Sequence, residues 1–249
     1  MAVNLLEEFE LHNLSKPLFF IGSHPVTFTN SALWMIISVF TMCAFMIAAM
    51  RPAAIIPGRV QVIAEALYNL VANLVRDTAG KHAQPFFPFI FSIFLFVFAC
   101  NILGLIPYAL PVTAHIIVNF SLAVFLFIVI TMTGFIRHGA NFLYLFVPKG
   151  VPLLMVPFMM VIELFSFLVR PFSLSTRLFA NMLAGHLLLI VFGSLTAGLL
   201  AAHWLAGLSI LPLALNIAIT GFEFFVAFLQ AYIYTILAAV YLRDALEMH

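Results

Sequence analysis

Long apolar runs with short polar interruptions fill the chain, and the spacing of those interruptions predicts its elements. Residues 17–50 contain no Asp, Glu, Lys or Arg, and the part from 31 to 50 has the length of one membrane crossing, about 20 residues at 1.5 Å each. The character changes between Arg59 and Asp77. There Val60, Ile63, Ala64, Leu67, Leu70, Val71, Leu74 and Val75 recur at helical spacing, while Arg59, Glu65, Asn73, Arg76 and Asp77 fill much of the remaining surface. Such a pattern predicts an amphipathic helix lying in the interface within 55–80. The 55 residues from His82 to Ile136 carry no formal charge and are broken near the middle by Pro107, Pro111, Thr113 and His115. They read as two spans, Pro85 to Pro107 and His115 to Ile136, forming a hairpin over 85–136. The remainder divides into segments from about Pro152 to Ala202 and from about Ser209 to Asp244, joined through His203, Trp204 and Gly207. Each is longer than a perpendicular crossing needs, so strong tilt is expected. The expected fold is an all-α membrane protein with five transmembrane helices plus the interfacial helix. Its last two helices are long, tilted and paired as an antiparallel hairpin over 152–244. The whole of 1–249 is one integral membrane domain, with 1–30 as an outer N-terminal segment.

Composition agrees. Of 249 residues, 65% are hydrophobic and 8% charged, whereas a soluble domain carries about 25% charged residues. Prolines and glycines scattered among long apolar runs exclude disorder, coiled coil and collagen. A transmembrane β-barrel would alternate apolar and polar positions, and stretches such as 86–98 and 187–192 do not. Net charge +1 offers no clustered basic face for nucleic acid. Cys43 and Cys100 both fall in apolar runs and read as small buried hydrophobes. Glu7, Glu8 and Glu10 with no early Lys or Arg reverse the basic start of a signal peptide, so the first span is expected to stay in the mature protein. Orientation follows from Lys and Arg in the connections. Only Lys16 precedes span one, whereas Arg51, Arg59, Arg76 and Lys81 follow it, Arg137 and Lys149 follow span three, and Arg243 lies beyond the last span. That bias places the N-terminus outside and the C-terminus inside. No inverted or tandem repeat is evident.

The informative residues are the charges inside apolar runs. Arg177 precedes 45 residues without a formal charge, and an arginine at bilayer depth costs at least about 2.5 kcal/mol. A snorkelling side chain or a structural ion pair would offset that cost. So would an ion path or a partner's carboxylate facing a fixed cation. Glu223 is followed by 19 uncharged residues, and Asn216, Glu223 and Gln230 recur every seven residues with Thr220 and Tyr234 close in angle. They form one wet stripe on an apolar helix, for which interhelical hydrogen bonding is the plainer alternative. On the preceding helix Glu163, Arg170, Ser173, Arg177 and Asn181 fall within about 40° of one meridian at about 100° per residue. Pro171 is placed to kink that axis. His186 lies about 180° round from Arg177 and roughly 13.5 Å further along; alone it reads as easily as a satisfied hydrogen-bonding residue. If the two segments turn near 203–208, residues at equal depth have numbers summing to about 406–411. Arg177 then stands level with Gln230, His186 with Glu223, and Glu163 with Arg243.

This layout suits a proton path with a barrier. A histidine with a pKa of about 6.5 and a glutamate held away from water can both take up and release protons near neutrality. Arginine passes no proton, yet its field keeps a nearby carboxylate ionised. Two water-accessible routes separated by such a cation would force protons to detour through a movable carboxylate. None is evident in this chain, so a partner must supply it.

The stretch RLFANMLAG from Arg177 to Gly185 closely resembles the signature of the subunit a family of F-type ATP synthases. NILGLIP at 101–107, VNFSLA at 118–123 and LQAYIYTILAAVYL at 229–242 are similar to the same family, and HPVTFTN at 24–30 fits it less specifically. The resemblance implies a non-catalytic stator that lays two tilted helices against a ring of c subunits and provides two offset aqueous half-channels. By motif position Arg177 resembles the arginine that meets the ring carboxylate and blocks direct leakage, with Asn181 and Gln230 as its polar neighbours. His186 and Glu223 take the outer half-channel positions, with Asn216 on the same path, and Glu163 and Ser173 fall to the inner half-channel. Many bacterial members carry acid and histidine in the opposite order. The exchange seen here is similar to mitochondrial subunits and the alphaproteobacteria related to them. Implied partners are the c ring, peripheral-stalk b subunits, the other synthase subunits and membrane lipids, with the proton as transported ion and no nucleic acid. No cofactor or metal is implied, and no GxxxxGK[ST] motif is present for a nucleotide. The implied home is the bacterial inner (plasma) membrane, N-terminus periplasmic and C-terminus cytoplasmic, with the mitochondrial inner membrane second. A self-contained secondary transporter and a purely structural membrane scaffold remain as competing readings.

Overall fold

The computed structural model describes residues 14, 19–21, 24–51, 56–106, 109, 111–139, 142 and 155–246. Most of the expected outer segment 1–30, the outer-turn residue Pro107, Lys149 and the start of the segment from Pro152 lie outside the described residues. Two short strands near the N-terminus, β1 (Phe19–Ile21) and β2 (His24–Val26), pair antiparallel with Phe19 opposite Val26 and Ile21 opposite His24. The apolar pattern did not announce them, because three residues per strand are too few for alternation to register.

Among the described residues, five helices are long and apolar enough to cross a membrane. They are α1 (Asn30–Met50), α3 (Phe87–Gly104), α4 (Ile116–His138), α5 (Val156–Ala201) and α6 (Ile210–Leu246), with α2 (Arg59–Ala79) between the first two. Thr29 caps α1, its Oγ1 accepting from the Ala32 N–H at 3.4 Å, which satisfies one of the four amides a helix start leaves bare. Helix α2 stops at Gly80, whose φ of 69° is left-handed and whose N–H donates to the Arg76 carbonyl, a backbone turn that a Cβ would strain. Its buried face is Ala64, Leu67, Val71, Leu74, Val75 and Ala79, while Val60 and Ile63 stay about half exposed. The apolar stripe read from sequence is therefore covered by the chain from Ala64 onward but not at Val60 and Ile63.

The chain divides into two compact units. One holds the residues to Ala48, Leu95–His115 and Leu178–Ala231; the other holds Ala49–Phe94, Ile116–Arg177 and Tyr232 onward. In the first, the Asn101 amide is fully buried and donates from Nδ2 to the Ala227 carbonyl at 3.2 Å, tying α3 to α6. In the second, Tyr68 of α2 meets Phe87 and Phe91 of α3 edge to face, with centroids 5.0 and 5.7 Å apart, a geometry that aligns ring edges with ring faces. Gly134 lets the Phe142 ring lie against α4, where a Cβ would overlap it.

Helices α5 and α6 have 46 and 37 residues, about 69 and 56 Å at the standard rise. A 3₁₀ turn, His203–Ser209, joins them. Pro171 lies inside α5 without ending it. The two helices are in contact and antiparallel: Gly193 faces Asn216, a pair summing to 409 and so within the expected register.

Candidate functional site

Two groups of polar residues stand out on α5 and α6, one in each unit. The first surrounds Glu223, which is 9% exposed and has its Oε2 buried with no hydrogen-bond partner among the described residues. Its carboxylate lies against Gly185 of α5, where an added Cβ would overlap it. Only glycine admits the acid this closely. A buried carboxylate oxygen without a partner is costly in a dry interior, and Glu223 also borders a cavity. A cavity of about 150 Å³ is lined by Asn181, Gly185, Leu188, Ile219, Phe222 and Glu223 among others, whereas one water centre needs about 10–15 Å³. An amide and an acid therefore share a chamber large enough for a chain of water. His186, next to Gly185 along α5, is buried at 8% exposure, so acid and imidazole reach the same depth, as the hairpin register predicts. Asn216 is half-buried two helical turns closer to the 203–209 connection, its Oδ1 enclosed without a partner among the described residues.

The second place surrounds the arginines of α5. Arg170 is held by its own chain: Nη1 donates to Asp244 Oδ2 at 3.0 Å, and Nη2 lies 4.0 Å from Glu163 Oε1. Its guanidinium also sits over the Phe167 and Tyr241 rings, 5.5 and 4.9 Å from their centroids. Two carboxylates and two aromatic faces therefore neutralise and desolvate it together. Arg177 is treated differently. It is exposed, near the middle of α5, and its side chain makes no ion pair or hydrogen bond among the described residues. Ser173 is exposed on the same helix, and Gln230 of α6 is half-buried.

Glu163 and Arg170 are thus brought into one cluster and Asn181 and Glu223 into another, with His186 buried beside Gly185, whereas Arg177 and Ser173 are left on an open face. Sequence reasoning missed Asp244, which closes the Arg170 cage. Its signal was present: 170 and 244 sum to 414, just beyond the expected register, and Asp244 is the first acid after Glu223. It also missed Asn101, whose burial in α3 was legible only as membership of an apolar run.

Residues 32–243 match the family described as ATP synthase A chain. Over its whole length the chain is 45% identical to "ATP synthase subunit a" of Pelagibacter ubique (strain HTCC1062), covering all of that protein. It is 50% identical over 229 residues to the subunit a of Parvibaculum lavamentivorans, covering 91% of this chain and 88% of that one. A third relative, from Mesorhizobium japonicum, is also 50% identical over 229 residues, with 91% and 90% covered.

Proposed function

The chain belongs to the ATP synthase A chain family, and from that premise we propose that Arg177 is the barrier between two half-channels built by its last two helices. As subunit a it is a non-catalytic, proton-translocating stator of the synthase membrane sector, a multi-pass membrane protein with bacterial homologues. The observation that carries the proposal is the bare cation. A charge on a helix long and apolar enough to cross a membrane needs a counter-charge, and none of the described residues supplies one. The neighbour that would fill this role is the carboxylate of a c-ring helix. The peripheral-stalk b subunits would hold the stator against the ring.

Protons from the outer side enter through the chamber of Asn181 and Glu223, with His186 at the same depth and Asn216 nearer the outer mouth. A ring carboxylate that takes such a proton becomes neutral and can move into lipid. On returning it meets Arg177, whose field favours the ionised form, and its proton leaves by the inner side past Ser173 and Glu163. Arginine does not give up its own proton, so no direct path joins the two sides. Asn181 and Gln230, amides near the barrier in sequence register, hold water or the incoming carboxylate without adding charge. A membrane potential supplies about 2.3 kcal/mol per charge per 100 mV to this cycle. The Lys and Arg bias of the connections supports an N-terminus on the periplasmic side of a bacterial inner membrane and a C-terminus in the cytoplasm.

The test is Arg177→Ala in membrane vesicles energised by respiration. The assembled complex is expected to lose ATP synthesis by at least about 100-fold, the scale for removing one preorganised electrostatic group. Normal synthesis by an assembled variant would overturn the barrier. Reduced assembly with intact coupling would favour a scaffold instead.

A further inference from the structure

Arg170 and Arg177 are seven positions apart, so on a regular helix they stand about 20° apart in angle and about 10.5 Å apart along the axis. Unrestrained, both would present a cation on nearly one face. The chain restrains only the first. Arg170 is bound to Asp244 at 3.0 Å with Glu163 at 4.0 Å, its side chain only 20% exposed, and the two rings that flank it leave little of the guanidinium open. We propose that Asp244 is a positioning residue that holds Arg170 against α6, so that α5 offers the ring one free cation rather than two.

The inference rests on the barrier reading and extends it. A ring carboxylate that must be held at Arg177 and then released would be caught again by a second bare guanidinium two turns away, and each such ion pair would have to be broken before the ring could step. Asp244 prevents that by giving Arg170 a permanent partner, in the bidentate-capable chemistry arginine favours. Glu163 is too distant at 4.0 Å to replace it. The plainer alternative is a structural tie between the two helices. That alternative treats the pair symmetrically, because losing either member leaves an uncompensated charge.

The experiment measures ATP synthesis per assembled complex in respiring membrane vesicles carrying Asp244→Asn, Asp244→Glu, Arg170→Gln or the Arg170→Gln/Asp244→Asn pair, with Arg177→Ala alongside. Asp244→Asn is expected to slow synthesis about ten-fold, within the range of coupling between contacting charged groups. Asp244→Glu, Arg170→Gln and the double variant are expected to stay within about two-fold of the parent, since none of them leaves a free second cation. Equal slowing by Arg170→Gln and Asp244→Asn, or a double variant as slow as Asp244→Asn, would overturn the proposal while a silent Arg177→Ala complex leaves the barrier standing. Synthesis by Arg177→Ala would instead overturn the barrier on which the proposal rests.

Discussion

The surroundings of Arg170 and Arg177 show how one helix can carry two arginines for different purposes. At Arg170 the chain provides everything a charge at depth needs: Asp244 at 3.0 Å, a second acid, and two aromatic faces. At Arg177, two turns on, it provides no ion pair among the described residues and leaves the side chain exposed. Helix propensity cannot explain the contrast, since the residue type is the same. What differs is the opposing helix, which places an aspartate opposite one arginine. A charge satisfied within the chain ties structure together; a charge left bare is a site for something outside it.

That contrast is broken most severely by removing the bare charge. Arg177→Ala costs at least about 100-fold in synthesis, whereas Arg170→Gln stays within about two-fold, because nothing outside the chain depends on it. The Asp244→Asn variant blurs the contrast by removing the closest charge that holds Arg170, at about ten-fold. Next in size is the chamber around Glu223. Gly185→Val must push the Glu223 carboxylate from its seat, and proton-driven synthesis is expected to fall about five-fold, as expected when two contacting groups are uncoupled. Gly185→Ala adds a single Cβ against the same carboxylate and should lose less synthesis than valine, its gain of about 1 kcal/mol in helix propensity offset by the displaced acid. The smallest effect is compensation. His186→Glu with Glu223→His retains the same two groups at one depth and should synthesise ATP roughly three-fold faster than the worse single variant. A double variant no better than that single would show that the two residues do not act as a pair.

Most of the helical layout was legible because membrane spans are set by length and charge-free runs, and such runs survive any detail of packing. The residues expected for the first span, 31–50, and for an amphipathic helix within 55–80 coincide with α1 and α2. The hairpin register was legible for the same reason: two helices joined by a short turn must align by number, and Gly185 against Glu223, summing to 408, meets the expectation. Partners set by side-chain reach were not legible. Arg170 extends past its own level to Asp244, and Asn101 reaches a backbone carbonyl 126 residues away; no periodicity encodes either contact. The wet stripe of α6 includes the buried Glu223 and Tyr234 but also the exposed Thr220, and it did not announce that Glu223 would need a glycine opposite it.

The central claim is that Arg177 faces a partner's acid. Ala180 is exposed on α5, three residues from Arg177, and small enough to replace without crowding the face. The decisive measurement places a cysteine there, with a second cysteine one helical turn from the midmembrane carboxylate of the ring subunit, and oxidises the assembled complex in its membrane. The account predicts a cross-linked pair of subunits and protection of position 180 from a lipid-phase carbene label. Labelling by the lipid probe with no cross-link would put Arg177 against lipid and contradict the account.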